Sequence, residues 1–176
     1  MATIRDATPA DAGAIAAVQV ASWRAAYRGL LPDEVLAGLS VPGLTQMWTG
    51  RFAASPPRSS VVVACAGEAI VGFASGGPPE SPDDRADPNL ADVYTLYLDP
   101  AHWDRGIGAQ LHDAVLARLA GHGFTHAGLW VLAGNERALR FYLRNGWTDT
   151  GRTQVDRGPQ GVELHERRLQ RNLDAG

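Results

Sequence analysis

Residues 92–108 read DVYTLYLDPAHWDRGIG, and the order of residue types in this stretch decides which fold the sequence predicts. Residues 93–98 are β-branched, aromatic or leucine with no helix breaker, which predicts a strand. Asp99-Pro100 ends the strand, and the glycines of residues 106–108 begin an amphipathic helix. The first turn of a helix has free backbone N–H groups, and glycine lets a phosphate approach them closely. The stretch therefore predicts either an anion-binding loop or a tight turn without a ligand.

Composition limits the class of protein. With 176 residues the chain is long enough for one full core and short for two, so we expect a single domain over residues 1–176. The net charge of -3 gives no electrostatic case for binding nucleic acid or a membrane surface. A single cysteine, Cys65, fits a reducing compartment, and no apolar run is long enough for a signal peptide or a membrane span. We therefore expect a cytoplasmic protein with neither nucleic-acid nor membrane partners.

The residues before this stretch predict helices and a hairpin. The predicted elements are a strand at residues 3–5, a helix from Thr8 into Trp23, short helices at residues 33–39 and 44–52, and hairpin strands at residues 61–66 and 69–75. Both hairpin strands are almost continuously apolar, which predicts a sheet covered on both faces. The following loop, residues 76–89, carries four acidic residues and one arginine. It is interpreted either as a solvated loop or as an acidic flap that attracts a cationic amine.

The residues after the stretch complete an α/β (α+β) pattern. They predict a helix from Gly106 to Gly121, a strand at residues 126–132, a helix at residues 135–143, and a closing antiparallel pair at residues 147–153 and 162–169. Helices on both sides of a mixed sheet indicate one core. Asn135 suits a helix N-cap, and Tyr142 falls on the same helical stripe two turns later. From this spacing, Asn135 and Tyr142 either grip an extended ligand or merely cap the helix and pack in the core.

Together the two segments resemble the GNAT superfamily of acetyl-CoA-dependent N-acyltransferases. Its members carry an R/Q-x-x-G-x-G/A loop after the fourth strand, matched here by Gly106 and Gly108, with Trp103 in place of the usual Arg or Gln. Its second pattern, N-x-x-A-x-x-F/Y-Y-x-x-x-G-F/W, matches at Asn135, Ala138, Phe141, Tyr142, Gly146 and Trp147. The resemblance implies a mixed, mostly antiparallel central sheet of six to seven strands, flanked by about four helices and splayed between strands 4 and 5.

The resemblance also implies acetyl-CoA as co-substrate, with no metal. The pyrophosphate of CoA would lie over the backbone N–H groups of residues 104–109. The pantetheine arm would pair with the backbone of residues 96–98 like an additional strand. The implied cofactor-binding residues are Leu96, Tyr97, Leu98, Asp104, Arg105, Gly106, Ile107, Gly108, Ala109, Asn135, Ala138 and Tyr142.

The implied reaction is direct attack of an acceptor amine on the thioester, without an acyl-enzyme. A backbone N–H near Leu98 would meet the developing oxyanion, and Tyr142 would protonate the departing thiolate. Asp92 occupies the strand position where relatives often carry Glu, so it is our first candidate for the general base. The alternatives are His102, His126 and His165. Trp23 and Tyr27 would line the acceptor pocket, although packing in the core explains them equally well.

Several alternatives stay open at this point. The acceptor is expected to be a primary amine of a small molecule or peptide, and a protein N-terminus or lysine competes with it. A non-catalytic acyl-CoA-binding or protein-interaction module of the same fold is the competing class of function. A homodimer is neither required nor excluded. Cys65 lies in an apolar strand without a base partner, and the five histidines lack metal-ligand spacing, so neither nucleophilic nor metal chemistry is expected.

Overall fold

The computed structural model describes residues 2–173 of the chain. Its strands are β1 (Thr3–Asp6), β2 (Ser60–Ala66), β3 (Ala69–Gly77), β4 (Leu90–Leu98), β5 (His126–Leu132), β6 (Thr148–Arg157) and β7 (Glu163–Asn172). The α-helices in this part of the chain are α1 (Ala12–Ala26), α2 (Asp33–Ala37), α3 (Val41–Ala54), α4 (Pro82–Arg85), α5 (Ile107–Gly121) and α6 (Glu136–Arg144). No helix between residues 2 and 173 is long and apolar enough to cross a lipid bilayer.

The seven strands form one mixed sheet in the order β1-β2-β3-β4-β5-β7-β6. Neighbouring strands are antiparallel except β4 and β5, which are parallel. These two strands pair only from Leu90–His126 to Asp92–Gly128, although β4 continues to Leu98 and β5 to Leu132. Beyond Asp92 the strands diverge, which confirms the predicted splay and the predicted mostly antiparallel sheet.

A β-bulge in β4 lies next to the point of divergence. Ser75 of β3 faces Thr95, whereas the next residue, Gly76, faces Val93, so Tyr94 is the extra residue on β4. A bulge bends its strand and increases the local twist. Pairing with β5 ends two residues before Tyr94, at Asp92. The bulge therefore helps β4 to turn away from β5 and to open the sheet.

Both faces of the sheet are covered, as the apolar hairpin predicted. On one face α5 packs against β2, β3 and β4 through its predicted apolar stripe, of which Leu111, Val115 and Leu119 are fully buried. On the other face α1 and α3 cover Phe73, together with the buried Ile15 and Trp48. The sheet is therefore the middle layer of three, and the splay between β4 and β5 connects the two outer layers.

Two helices of the first half extend beyond the predicted limits. α1 continues past Trp23 to Ala26, which brings Tyr27 to its C-cap. α3 runs from Val41 to Ala54, where only a turn or two was predicted. Its glycines and threonines have low helix propensity, but Trp48 is almost completely buried against Phe73. Tertiary packing therefore stabilises a helix that its local sequence only weakly favours.

Candidate active site

A cleft with a volume of about 700 Å³ opens where β4 and β5 separate. One end is formed by the loop before α5 and by the first turns of α6, and we call it the phosphate end. The other end is formed by α1 and β7, and we call it the acceptor end. The predicted site residues that line the cleft are Trp23, Tyr27, Leu96, Tyr97, Leu98, Asp104, Gly106, Gly108, Ala109, Asn135, Ala138 and Tyr142. The two sequence motifs thus meet on one cleft that passes through the sheet.

Three predicted residues lie outside the lining of this cleft. Ile107 is buried in the core between α5 and the sheet. Arg105 is an exposed residue of the loop before α5. Asp92 is buried in the sheet at the point where β4 and β5 part.

The phosphate end has the backbone geometry of an anion cradle. The helical hydrogen bond from Gln110 N–H to the Gly106 carbonyl, 3.2 Å long, leaves the N–H groups of residues 107–109 without a helical partner. Gly106 has φ of 78° and Asp104 has φ of 59°, so both lie in the left-handed region. A Cβ added at Gly106 would meet no heavy atom within 4 Å. The loop therefore presents free donors to open space, beside the positive end of the α5 dipole.

Trp103, which departs from the family pattern, has a definite place in this loop. Its indole Nε1 donates a 2.9 Å hydrogen bond to the carbonyl oxygen of Leu98, which ties the loop to the end of β4. The guanidinium carbon of Arg137 lies 4.4 Å from the centre of the Trp103 ring. Arg137 also donates to Asp104 at 2.9 Å. Arg137 was not identified from the sequence. Its position in the first turn of α6, two residues after Asn135, could have indicated that it lies beside the cleft.

Residues of α6 contribute the opposite wall of the phosphate end. The Asn135 Oδ1 accepts a 3.1 Å hydrogen bond from the backbone N–H of Ala138, which confirms the predicted N-cap. Tyr142 is 8% exposed and packs against Phe141 and Trp147. Burial raises the pKa of its phenol well above the ordinary value. Tyr142 is therefore protonated at neutral pH, which is the state that a proton donor requires.

Aromatic side chains dominate the acceptor end. The rings of Trp23 and Tyr27 meet edge to face with centroids 4.8 Å apart, and Trp23 meets Tyr97 of β4 at 6.4 Å. Burial raises the pKa of Tyr27 and of Tyr97. Trp23 and Tyr27 also pack against a small apolar cluster that contains Leu36. These rings therefore line the cleft and pack against a core at once, and their role in binding an acceptor stays a prediction.

Asp92, the first candidate for the general base, takes part in a buried ion pair. Its Oδ1 accepts a 2.6 Å hydrogen bond from Nη2 of Arg168, which is completely buried. Burial raises the pKa of Asp92, and the pairing with Arg168 opposes this effect. A Cβ on Gly128 would approach Nη2 of Arg168 to 2.3 Å, so glycine is needed beside this ion pair. Asp92 thus balances a buried cation below the cleft.

The acidic loop of residues 76–89 is tied to the sheet. Asp84 of α4 pairs with Arg152 at 2.9 Å and with Arg168 at 3.4 Å. Asp87 pairs with Nε2 of His126 at 2.9 Å. Of the residues that the structure describes, none from this loop lines the cleft, and neither do the alternative bases His102, His126 and His165. The geometry therefore gives no support to a flap that attracts an amine into the cleft.

Sequence reasoning missed one carboxylate of the acceptor end, Glu166 on β7. Glu166 lines the cleft and stands opposite Leu132 in the pairing of β5 with β7. Its strand is rich in charged residues without a regular alternation, so no pattern singled Glu166 out. The register of β7 against β5 decides that this side chain faces the cleft.

Comparison with known proteins agrees with this architecture. Residues 23–147 match the family model described as Acetyltransferase (GNAT) family. That range begins at the aromatic residues of α1 and ends at Trp147, the last residue of the α6 motif. Uncharacterized N-acetyltransferase YuaI from Bacillus subtilis is 31% identical to this chain over 147 residues, which are 81% of this chain and 78% of YuaI.

Two solved structures share the fold over nearly the whole chain. PaiA N-acetyltransferase from Thermoplasma acidophilum, in complex with coenzyme A, has a TM-score of 0.72 and 19% identity, and covers 98% of this chain and 99% of PaiA. YncA from Salmonella typhimurium, with its cofactor acetyl-CoA, has a TM-score of 0.71 and 20% identity, and covers 99% of this chain and 95% of YncA. At these identities the likeness is one of fold.

Proposed function

This chain belongs to the Acetyltransferase (GNAT) family, and we propose that it transfers an acetyl group from acetyl-CoA directly to a primary amine of a small molecule or peptide. One observation carries the proposal. One cleft through the sheet joins an anion cradle at one end to an aromatic pocket at the other, and Tyr142 lines the same cleft. The cleft thus offers separate places for a phosphorylated acyl carrier and for an acceptor.

The phosphate end fits the pyrophosphate of CoA. The free N–H groups at the start of α5 and the open space beside Gly106 suit a phosphate that is bound by the backbone. Arg137, held over Trp103, lies at the same end and pairs with Asp104, so the two side-chain charges there offset each other. Because this recognition relies on the backbone, replacement of the usual Arg or Gln by Trp103 leaves the cradle in place.

The separated strands fit the pantetheine arm. After Asp92, β4 has no strand partner on the side of β5, so the backbone groups of residues 96–98 that point towards β5 are available to a ligand, except the Leu98 carbonyl, which accepts from Trp103. An extended arm can pair with such an edge as an added strand does. This arrangement would place the thioester in the gap between β4 and β5, where groups from both faces of the sheet can reach it.

Tyr142 and the backbone of β4 would supply the chemistry. A backbone N–H near Leu98 would stabilise the oxyanion, and one such donor is worth on the order of 3 kcal/mol in the transition state. The protonated phenol of Tyr142 would donate its proton to the sulfur of CoA as the C–S bond breaks. The two structural neighbours solved with coenzyme A or acetyl-CoA support this carrier.

Two measurements on the purified protein test the proposal. Calorimetry measures acetyl-CoA binding, and a thiol assay measures CoA release in the presence of primary amines. We expect saturable binding and amine-dependent release. Binding without release by any amine would instead identify a non-catalytic acyl-CoA-binding module, and absence of binding would contradict the proposal altogether.

A further inference from the structure

We propose that Glu166 on β7 holds the ammonium group of the acceptor and takes its proton, and that the preferred acceptors are primary amines without a carboxylate beside the reacting nitrogen. This inference rests on the proposed function. It assigns a residue that neither sequence motif contains and narrows the class of acceptor.

The other carboxylates in and below the cleft already pair with arginines. Within residues 2–173, two carboxylates line the cleft, Asp104 and Glu166. Asp104 lies in the loop before α5 and pairs with Arg137, so it belongs to the phosphate end. Asp92 lies below the cleft and pairs with Arg168. Glu166 is therefore the carboxylate that remains for a cation at the acceptor end.

The strand order places Glu166 on the same face of the sheet as α1. Side chains two residues apart on a strand share a face, so Leu164, Glu166 and Arg168 point to one side. Leu164 packs in the apolar cluster beside Trp23 and Tyr27, which fixes that side as the acceptor side. Glu166 thus enters the cleft between an apolar residue and a buried arginine whose charge is already balanced.

A hydrogen bond orients the Glu166 carboxylate. Gln154 of β6, its partner in the β6–β7 pair, donates from Nε2 to Oε2 at 2.7 Å. This bond engages one oxygen, so Oε1 is the oxygen that can accept a hydrogen bond from an ammonium group. Tyr27 and Trp23 line the same end of the cleft, and aromatic rings attract cations. A carboxylate beside aromatic rings is a combination that selects positively charged groups.

The surroundings of Glu166 also suit a proton acceptor. Burial raises its pKa, Asp156 of β6 adds to this effect, and the hydrogen bond from Gln154 opposes it. Tyr27 from α1 and Tyr97 from β4 also lie near it, and burial keeps both neutral. Arg168, on the same side of β7, is paired with Asp92. A base works best when its pKa lies near the working pH. A raised pKa therefore makes Glu166 a better base than an exposed glutamate.

The proton transfers balance in the following order. Glu166 accepts one proton from the ammonium group and becomes neutral. The free amine nitrogen forms a C–N bond with the thioester carbon, the C–S bond breaks, and Tyr142 gives its proton to the thiolate. The nitrogen then loses its second proton to the Tyr142 phenolate. The products are the amide and CoA, and Glu166 releases the first proton to solvent.

The same geometry disfavours amino acids. A carboxylate on the carbon next to the amine would lie close to Glu166, and two like charges repel strongly in a partly desolvated cleft. We expect kcat/KM to be at least about tenfold higher for an amine than for its carboxylated counterpart, because like charges suppress the wrong partner. Matched pairs of probes, each with a single amine, are butylamine and norvaline, isobutylamine and valine, and tyramine and tyrosine.

The experiment compares the wild type with Glu166→Gln, Asp92→Asn and Glu163→Gln in CoA-release assays with these six amines. Glu163 is an exposed residue of the same strand and lies outside the cleft, so Glu163→Gln is the matched control. We expect Glu166→Gln to lower kcat/KM for carboxylate-free amines by about 10²-fold, the usual contribution of a general base. The rise of kcat/KM with pH should disappear in that variant, while its acetyl-CoA affinity in calorimetry stays at the wild-type value.

The other possible results each contradict the proposal or the proposed function on which it rests. If Glu166→Gln kept the wild-type kcat/KM and still showed the rise of kcat/KM with pH, the proposal would be wrong. It would also be wrong if only Asp92→Asn lost that rise, because Asp92 would then be the base. A protein that binds acetyl-CoA but acetylates none of the carboxylate-free amines, or prefers their carboxylated partners, would overturn the assigned acceptor class. A wild type that does not bind acetyl-CoA would refute the proposed function itself.

Discussion

The two ends of the cleft are built from different kinds of groups. The phosphate end consists mainly of backbone N–H groups and glycines within the short segment from Trp103 to Ala109, with α6 beside it. The acceptor end consists of side chains from α1, β4 and β7, which are far apart in the chain. A backbone site depends on local conformation, whereas a side-chain site depends on the identity of each residue. Substitutions should therefore affect the two ends in different ways.

The largest effect, on the free energy of unfolding, is expected for a substitution of Asp92, which lies below the acceptor end. Asp92→Asn would remove the closest negative partner of the buried Arg168 and leave Asp84 at 3.4 Å. Breaking a buried ion pair costs about 3 kcal/mol of the free energy of unfolding. Urea denaturation would measure the change, with the exposed Asp83→Asn as control. Equal stability of the two variants would show that Asp92 does not balance Arg168.

Tyr142 lines the cleft that joins the two ends, and its substitution should separate binding from chemistry. Tyr142→Phe keeps the packing against Phe141 and Trp147 but removes the proton that leaves with the thiolate. We expect kcat to fall by about 10²-fold, as for loss of a general acid, with unchanged acetyl-CoA affinity. Steady-state kinetics and calorimetry measure the two quantities. Full turnover in Tyr142→Phe would exclude the phenol as the acid.

The smallest effect is expected at the phosphate end, where a side chain can be added without a clash. Gly106→Ala meets no atom within 4 Å, but its φ of 78° costs an alanine about 1 kcal/mol. We expect the alanine loop to relax from this conformation in the free protein and acetyl-CoA binding to restore it, which gives a roughly fivefold loss of affinity with no change in the pH dependence of turnover. Gly121→Ala, at the other end of α5 and equally free of clashes, is the control and should bind normally.

The sequence predicts the backbone conformation of the phosphate end well, because this conformation depends on residues that are close together in the chain. Gly106, Gly108 and the Asn135 cap lie at helix starts that turn and capping residues mark directly. The mixed, mostly antiparallel sheet and the splay between strands 4 and 5 followed from the family resemblance. The extent of α3 was missed because buried Trp48, and not local propensity, stabilises that helix.

The acceptor end could not be predicted in the same way. Glu166 faces the cleft only because β7 inserts between β5 and β6 in one register. Arg168 and Asp92 meet because Gly128 leaves room between their strands. Such contacts depend on which strands become neighbours, and the spacing of residues along the chain does not contain that information.

The central claim is that backbone groups at the start of α5 and along the free edge of β4 bind the acyl carrier. Amide NMR of the protein titrated with acetyl-CoA tests it most directly, because it reports on each backbone N–H. The account predicts the largest shifts at Gly106, Ile107 and Gly108, with slowed hydrogen exchange at residues 96–98. Saturation with acetyl-CoA that leaves these amides unchanged would contradict it.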